Sequence, residues 1–273
     1  ERNLHISGAS NEALKMATGE FVALLDHDDE LAPDALLENV KAINHQPDAD
    51  MIYSDEDKIS EAGDRLNPFF KPSWSLDLLL SHMYTGHLGV YRKSIIDAIG
   101  GFKVGYEGSQ DYDLVLRFIE KTKEEKIVHI PKILYHWRTI AASTAISPES
   151  KNYAYEAGKK ALSSYLDRQG ERALVELTDI KGNYRIKREI EGLPKVSIVI
   201  YSQDQRVLAI CLKSIYETTS YENREIIVVN AEGINKVDGV GISEKPGLVF
   251  LEGTGVGRNP ANAYNLGAGK SGG

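Results

Sequence analysis

Hydrophobic and polar positions along the chain fall into blocks that read by turns as helix and strand. Ala13, Leu14 and Ala17 share one face of a predicted helix over 9–18, and Gly19 suits its left-handed stop. The apolar run FVALL at 21–25 reads as a short buried strand and ends in Asp26-His27-Asp28-Asp29. Pro33 fits the first turn of the next helix, which runs to His45. MIYS at 51–54 is another strand, and the acidic triplet after it, Asp55-Glu56-Asp57, reads by default as a solvated loop. HLGVYR at 87–92 reads as a strand, and Gly100-Gly101 breaks the chain after a short helix. DYDLVLRFIEK at 111–121 is amphipathic, with Ser109 as its expected cap and acids in the first turn that complement the helix dipole. The extended stretch 127–137 places Pro131 at an edge or bend, and 149–168 reads as a long helix.

Residues 169–194 read as a linker with one extended piece. VSIVIY at 196–201 then opens a new βαβ unit, with a helix over 206–217, a strand at 225–230 and another at 248–252 before a Gly-rich C-terminal stretch. The alternation predicts an α/β protein with a Rossmann-like, largely parallel sheet flanked by helices. One internal similarity stands out. SNEALKMATG at 10–19 is similar to YNLGAGKSGG at 264–273, with Asn11 matching Asn265 and Gly19 matching Gly273. Two glycine motifs fail. Gly269-Lys270-Ser271 lacks the leading glycine of a P-loop, because Tyr264 stands there. Gly253-Thr254-Gly255-Val256-Gly257-Arg258 ends in arginine where a dinucleotide fingerprint needs its third glycine.

Composition narrows the classes. The 273 residues carry a net charge of −8, which argues against a general nucleic-acid binder. Cys211 is the single cysteine, so no intrachain disulfide and no cysteine zinc site can form. No apolar run approaches the roughly 18 residues of a membrane span. The chain opens at Glu1 without a signal-peptide pattern, so a reducing, cytoplasmic setting is expected.

Several segments together resemble the family 2 glycosyltransferases with the GT-A fold. They are Ile6-Ser7-Gly8-Ala9-Ser10-Asn11 through Ala17-Thr18-Gly19-Glu20; Leu24-Leu25-Asp26-His27-Asp28-Asp29-Glu30-Leu31, similar to that family's DxD motif; Gly108-Ser109-Gln110-Asp111-Tyr112-Asp113-Leu114, similar to the segment bearing the catalytic base; and Tyr135-His136-Trp137-Arg138, similar to its C-terminal metal-binding region. The resemblance covers roughly 3–168, and 196–273 resembles the opening of the same fold. The chain thus looks like the C-terminal portion of one GT-A domain (1–168), a linker (169–194) and the N-terminal, nucleotide-binding portion of a second, tandem copy (195–273). A circular permutation is the rival account. The second unit departs from the family: Tyr201-Ser202 stands where Pro-Thr is usual, and Asn230-Ala231-Glu232-Gly233 where an Asp-rich turn is usual.

The resemblance implies a metal-dependent, inverting glycosyltransferase. It would move a sugar from a nucleotide-diphospho-sugar to a glycan or lipid-linked saccharide acceptor in surface polysaccharide synthesis. The acceptor would bring it to the cytoplasmic face of a membrane as a peripheral protein. Hard oxygen ligands suit Mn²⁺ or Mg²⁺. By the resemblance Asp28 is the metal ligand, Asp26 lies nearer the nucleoside ribose, and Asn11 belongs to the nucleotide-sugar site. The plain alternative is a solvated turn capping the Pro33 helix. Asp111 takes the family's base position, held at a helix N-terminus. Its competitor Asp113 reads more simply as an ordinary first-turn residue. His136 is expected to complete the metal site, or else to sit half-buried on its strand beside Trp137. Arg138 is expected to pair with the diphosphate. The stretch 67–74, with Phe69, Phe70, Lys71 and Trp74, reads equally as an acceptor contact or a packed loop. Two rival functions stand beside this one: a degenerate domain that binds without turnover, and a metal-dependent nucleotidyltransferase or sugar-nucleotide hydrolase.

Overall fold

The computed structural model describes residues 3–139, 152–230, 246–252 and 259–273. The chain divides into two units, 1–189 and 190–273, each with its own sheet. The α/β class is as expected. Among the described residues, no helix is long and apolar enough to cross a membrane.

The first unit is built around β3 (Met51–Ser60) and its parallel neighbour β6 (Ile127–Thr139). Met51, Ile52, Tyr53 and Ser54 are all buried, as expected of a central strand covered on both faces. Met51 and Tyr53 belong to the cluster of Leu114 and Phe118 on α5 (Gln110–Ile119) and Leu162 on α6 (Asn152–Gln169). Ile52 turns the other way, into a cluster with Ala35 of α2 (Ala35–His45), Val90 and Leu134. The strand order is β1-β5-β3-β6-β2, with β1 at Phe21–Ala23, β2 at Glu30–Leu31 and β5 at Gly89–Arg92. A strand β4 (Arg65–Phe69) pairs with the far end of β3. Helices α1 (His5–Met16), α3 (Leu76–Ser81) and α4 (Lys93–Ala98) complete the layer around it.

Three expectations need adjusting. Parallel pairing holds in the first unit for β3–β6 alone; the other pairs are antiparallel. The reason is local for β4, which returns on β3 through a tight turn. The triplet Asp55-Glu56-Asp57 is not a solvated loop, because β3 runs straight through it to Ser60. Residues 169–194 are more than a linker. They hold the antiparallel hairpin β7 (Ala173–Leu177) and β8 (Tyr184–Arg188), whose Val175 and Tyr184 are buried in the same cluster as Leu162. Pro131 lies at the bend expected of it: the β3–β6 register skips from Ser54–Ile130 to Asp55–Ile133.

The second unit is a small parallel sheet, β11-β10-β9, of β9 (Val196–Tyr201), β10 (Arg224–Asn230) and β11 (Leu248–Glu252). Leu208 and Leu212 of α7 (Gln205–Thr218) cover one face over Ile226 and Val228. Ala263 of α8 (Pro260–Ala268) covers the other over Ile227 and Val229. Asp204 caps α7 by accepting from the Arg206 and Val207 N–H groups. At Gly267 a Cβ would stand 2.3 Å from Val199 Cγ1, so only glycine lets α8 sit this close to β9. The two similar stretches lie on comparable elements, 10–16 in α1 and 264–268 in α8. The segments 231–233 and 253–258 singled out above lie outside the described residues.

Candidate functional site

A cavity of about 310 Å³ opens between α1, β1 and the N-terminus of α5, at the small end of the range for ligand sites. Its polar lining includes Ser10, Asp26, His87, Gln110 and Asp111. Asp26 is placed by β1, which ends at Ala23 and delivers the acidic turn at its C-terminal end. Asp111 is placed by α5, in whose first turn it lies. The chain therefore brings together two carboxylates 85 positions apart in sequence, as expected from their motifs.

Asp111 is half-buried, and its Oδ1 accepts from the Tyr112 N–H at 2.8 Å. Burial pushes its carboxyl above the ordinary carboxylate value, opposed by the charge of His87 and by backbone N–H groups. Asp113, one residue beyond Tyr112, has a different fate. It is 1% exposed, and its Oδ2 accepts from Arg117 Nε at 2.9 Å and Nη2 at 2.6 Å. Arg117 also donates to the carbonyls of Ile99 and Gly101. Asp113 is held in a buried ion pair with Arg117, whereas Asp111 lines the cavity. Ser109 occupies the N-cap position, but its hydroxyl donates to the Ala154 carbonyl instead of capping α5.

The acidic turn is held from beneath by β6. The Asp26 N–H donates to Tyr135 Oη at 3.3 Å, the Tyr135 hydroxyl donates to Asp29, and the Arg138 N–H donates to Asp29 Oδ1 at 2.8 Å. Burial raises the Asp29 carboxyl above its usual value, with Tyr135, Arg138 and His87 opposing. Asp29 thus anchors the turn. Asp28 is left with a partly exposed carboxylate, whose recorded ion-pair partner is His27 at 3.7 Å.

Three of the expected site residues are engaged elsewhere. Asn11 clamps the backbone of Phe102: its amide donates to the carbonyl and accepts from the N–H, both at 2.8 Å. Its Oδ1 would lie 2.4 Å from a Cβ at Gly101, where φ is +67°. The His136 ring is buried and its Nδ1 meets Asp57 Oδ1 at 2.6 Å; Asp57 also accepts from Arg65. Tyr135 stacks on His87 at the cavity, so its strand neighbour His136 points to the opposite face. Arg138 Nε donates to the Asp28 carbonyl at 2.7 Å, and its guanidinium pairs with Glu30. It braces the acidic turn rather than extending into the cavity. Among the described residues, no three His, Cys, Asp or Glu side chains gather as a metal cluster.

Sequence reasoning missed His87 and the group behind it. Glu56 Oε2 accepts from the His87 N–H, lies 3.2 Å from the His87 Nδ1 and accepts from Lys71 Nζ at 3.1 Å. Lys71 Nζ also donates to the His87 carbonyl at 2.6 Å. The Lys71 side chain is fully buried, which settles its part of 67–74 as packed structure, whereas Phe70 stays exposed. The one signal in the sequence was a lone histidine opening an apolar strand, with nothing adjacent to name its partner.

Residues 1–100 match the model of glycosyl transferase family 2. Protein y4gI of Sinorhizobium fredii is 47% identical, over 84% of this chain and 26% of its own length. The O-antigen biosynthesis protein RfbC of Myxococcus xanthus is 38% identical, over 81% of this chain and 17% of its own. A chondroitin synthase of Pasteurella multocida is 27% identical over 48% of this chain and 13% of its own. The chain therefore spans about a quarter or less of these relatives. Among solved structures, S. aureus TarS superposes with a TM-score of 0.41 at 18% identity, over 58% of this chain and 27% of that one. The matched segment, 1–100, contains both the acidic turn and His87.

Proposed function

We propose that the first unit is the acceptor-side and metal-side portion of an inverting glycosyltransferase, which moves a sugar from a nucleotide-diphospho-sugar to a hydroxyl of a glycan or lipid-linked saccharide. The observation that carries this reading is the convergence of Asp111 and Asp26 on one cavity. Asp111 accepts the proton of the attacking hydroxyl as its oxygen bonds to the anomeric carbon. The bond from that carbon to the diphosphate oxygen breaks on the opposite face, and its electron pair leaves with the diphosphate. A carboxyl raised by burial is a better proton acceptor than an exposed one once ionised. On this reading Asp26, at the cavity, faces the ribose or phosphate chain of the donor.

The donor set for a divalent cation is thin but of the right chemistry. Asp28 offers hard carboxylate oxygens suited to Mn²⁺ or Mg²⁺. His136 is held away by Asp57, so further ligands would come from the diphosphate itself. Such an ion, when bound, neutralises charge on the departing diphosphate. The second unit is, on this reading, the opening βαβ of another such domain; its support is the α1–α8 similarity and its parallel sheet. The name of RfbC supports a role in surface polysaccharide synthesis, which would take place at the cytoplasmic side of a membrane.

Calorimetric titration with a panel of nucleotide-sugars and nucleoside diphosphates, with and without Mn²⁺, tests the reading. Metal-dependent binding that is lost in Asp28→Ala is expected. Turnover of a nucleotide-sugar that continues unchanged in Asp111→Asn would instead favour hydrolysis or nucleotidyl transfer.

A further inference from the structure

His87 has no role in the reaction as described so far, yet it is braced from several sides at the cavity. Glu56 and Lys71 hold its backbone N–H, its carbonyl and its Nδ1. Tyr135 stacks on its ring, with centroids 4.8 Å apart and planes 21° from parallel. This clamp fixes which ring edge faces Glu56. The opposite edge, carrying Nε2, belongs to a side chain that is 30% exposed and lines the same cavity as Asp111. A histidine needed only for packing would not require a buried lysine and glutamate behind it, since burying charges costs free energy unless each is paired.

We propose that His87 is a positioning residue for the reaction: braced by Glu56 and Lys71, it stands at the cavity as an imidazolium and supplies the positive charge that the Asp111 carboxylate faces. The proposal rests on reading Asp111 as the base. The charges around His87 come from every side of the site. Glu56 lies on β3, Lys71 on the segment after β4, Asp26 and Asp29 on the acidic turn, and Asp111 on α5; β6 contributes the rings of Tyr135 and Trp137. All four acids, when ionised, favour the charged imidazole. Burial alone would lower the imidazole pKa, but the Glu56 hydrogen bond and the charges of Glu56, Asp111 and Asp26 leave it above its ordinary value. Lys71 does not cancel this, because Glu56 lies between the two cations and bonds both. The reciprocal effect falls on Asp111, where burial favours the neutral acid and the His87 charge favours the carboxylate. The arrangement keeps a base in a partly dry cavity usable near neutral pH without leaving it fully solvated.

The test follows both titrations by NMR: the His87 ring signals and the Asp111 carboxyl carbon, in the full chain and in Asp111→Asn, His87→Gln and Glu56→Gln. The His87 midpoint is expected to fall in Asp111→Asn and in Glu56→Gln. The Asp111 midpoint is expected to rise in His87→Gln. Asp111→Asn keeps the hydrogen-bonding shape of the cavity, so the test survives even if His87→Gln does not fold. If the His87 midpoint is the same with and without Asp111, the proposal is overturned. None of this requires sugar transfer, so failure of the glycosyltransferase reading is seen separately. In a transfer assay, His87→Gln is expected to lose about tenfold at neutral pH, with recovery as the pH is raised past the displaced acid limb. A loss equal at every pH would mark a purely structural residue.

Discussion

The two faces of β3 show how one strand sends adjacent acids to different ends. Glu56 and Asp57 are neighbours, so the pleat turns them to opposite sides. Asp57 meets the buried His136 and the half-exposed Arg65, and Asp55 likewise meets His129 and the Lys71 N–H. Glu56 meets His87, whose ring reaches a cavity. The three pairings look alike as a list of acids and histidines, and the difference lies in what stands beyond the histidine. The first turn of α5 repeats the lesson with helical geometry. Asp113 turns inward to Arg117, while Asp111, two residues before it, opens on the cavity.

The sharpest way to break this contrast is at α5. Asp111→Asn is expected to reduce transfer on the order of 10²–10⁴-fold, the usual worth of a positioned base, while donor binding stays as it was. Steady-state assay and calorimetry on the same sample separate the two. Full retention of transfer would remove Asp111 from the chemistry. The partner experiment strips Asp113 of its cation. Arg117→Met leaves a carboxylate that is 1% exposed without compensation, its Oδ1 already lacking a hydrogen bond. The expected cost is about 3–5 kcal/mol, read from denaturant unfolding. A near-neutral result would mean that the Asp113–Arg117 pair adds little to the stability of the fold.

On β3 the equivalent probe is Asp57→Asn. It weakens the pair with His136 and Arg65, and should cost about 1–3 kcal/mol with transfer and its metal response unchanged. A changed metal requirement would return His136 to the metal site, contrary to its present orientation.

How far the sequence leads depends on whether a residue's partner is near it in the chain. The elements were legible because their signals are local: the strand before an acidic turn, the amphipathic run after Ser109, the Pro131 bend. The burial expected of FVALL was not, since β1 stops at Ala23 and its residues are half-buried or exposed. The carriers of the cavity, Asp26 and Asp111, were legible because each sits in a motif that implies its own exposure. Asn11, His136 and Arg138 sit in equally recognisable motifs, but their side chains are taken up by Phe102, Asp57 and Glu30, and nothing local reveals those partners. His87 is the converse case. Its setting depends on Glu56 and Lys71, 31 and 16 positions away, and on a strand alternation through 55–57 that the acidic run hides.

The smallest expected effect concerns stability rather than rate. The folded pKa of Asp111 is raised above the ordinary value of 3.8, chiefly by burial. The native state therefore holds this proton more tightly than the unfolded chain does, and stability declines as pH rises from 3.8 through the raised value. Above that window wild type carries the full penalty of a half-buried carboxylate, which Asp111→Asn does not. The variant should consequently be the more stable protein at neutral pH while being the less active one, a trade common where a site is built against the needs of the fold. Below pH 3.8 both states of wild type are protonated at this position, and the advantage should vanish. Thermal midpoints of the two proteins, measured in parallel from acid to neutral pH, give the comparison directly. Converging curves at low pH and a separation that opens upward through the window fit a buried base. A constant separation would place the difference in packing, and a separation of opposite sign would mean that His87 more than compensates the burial of Asp111.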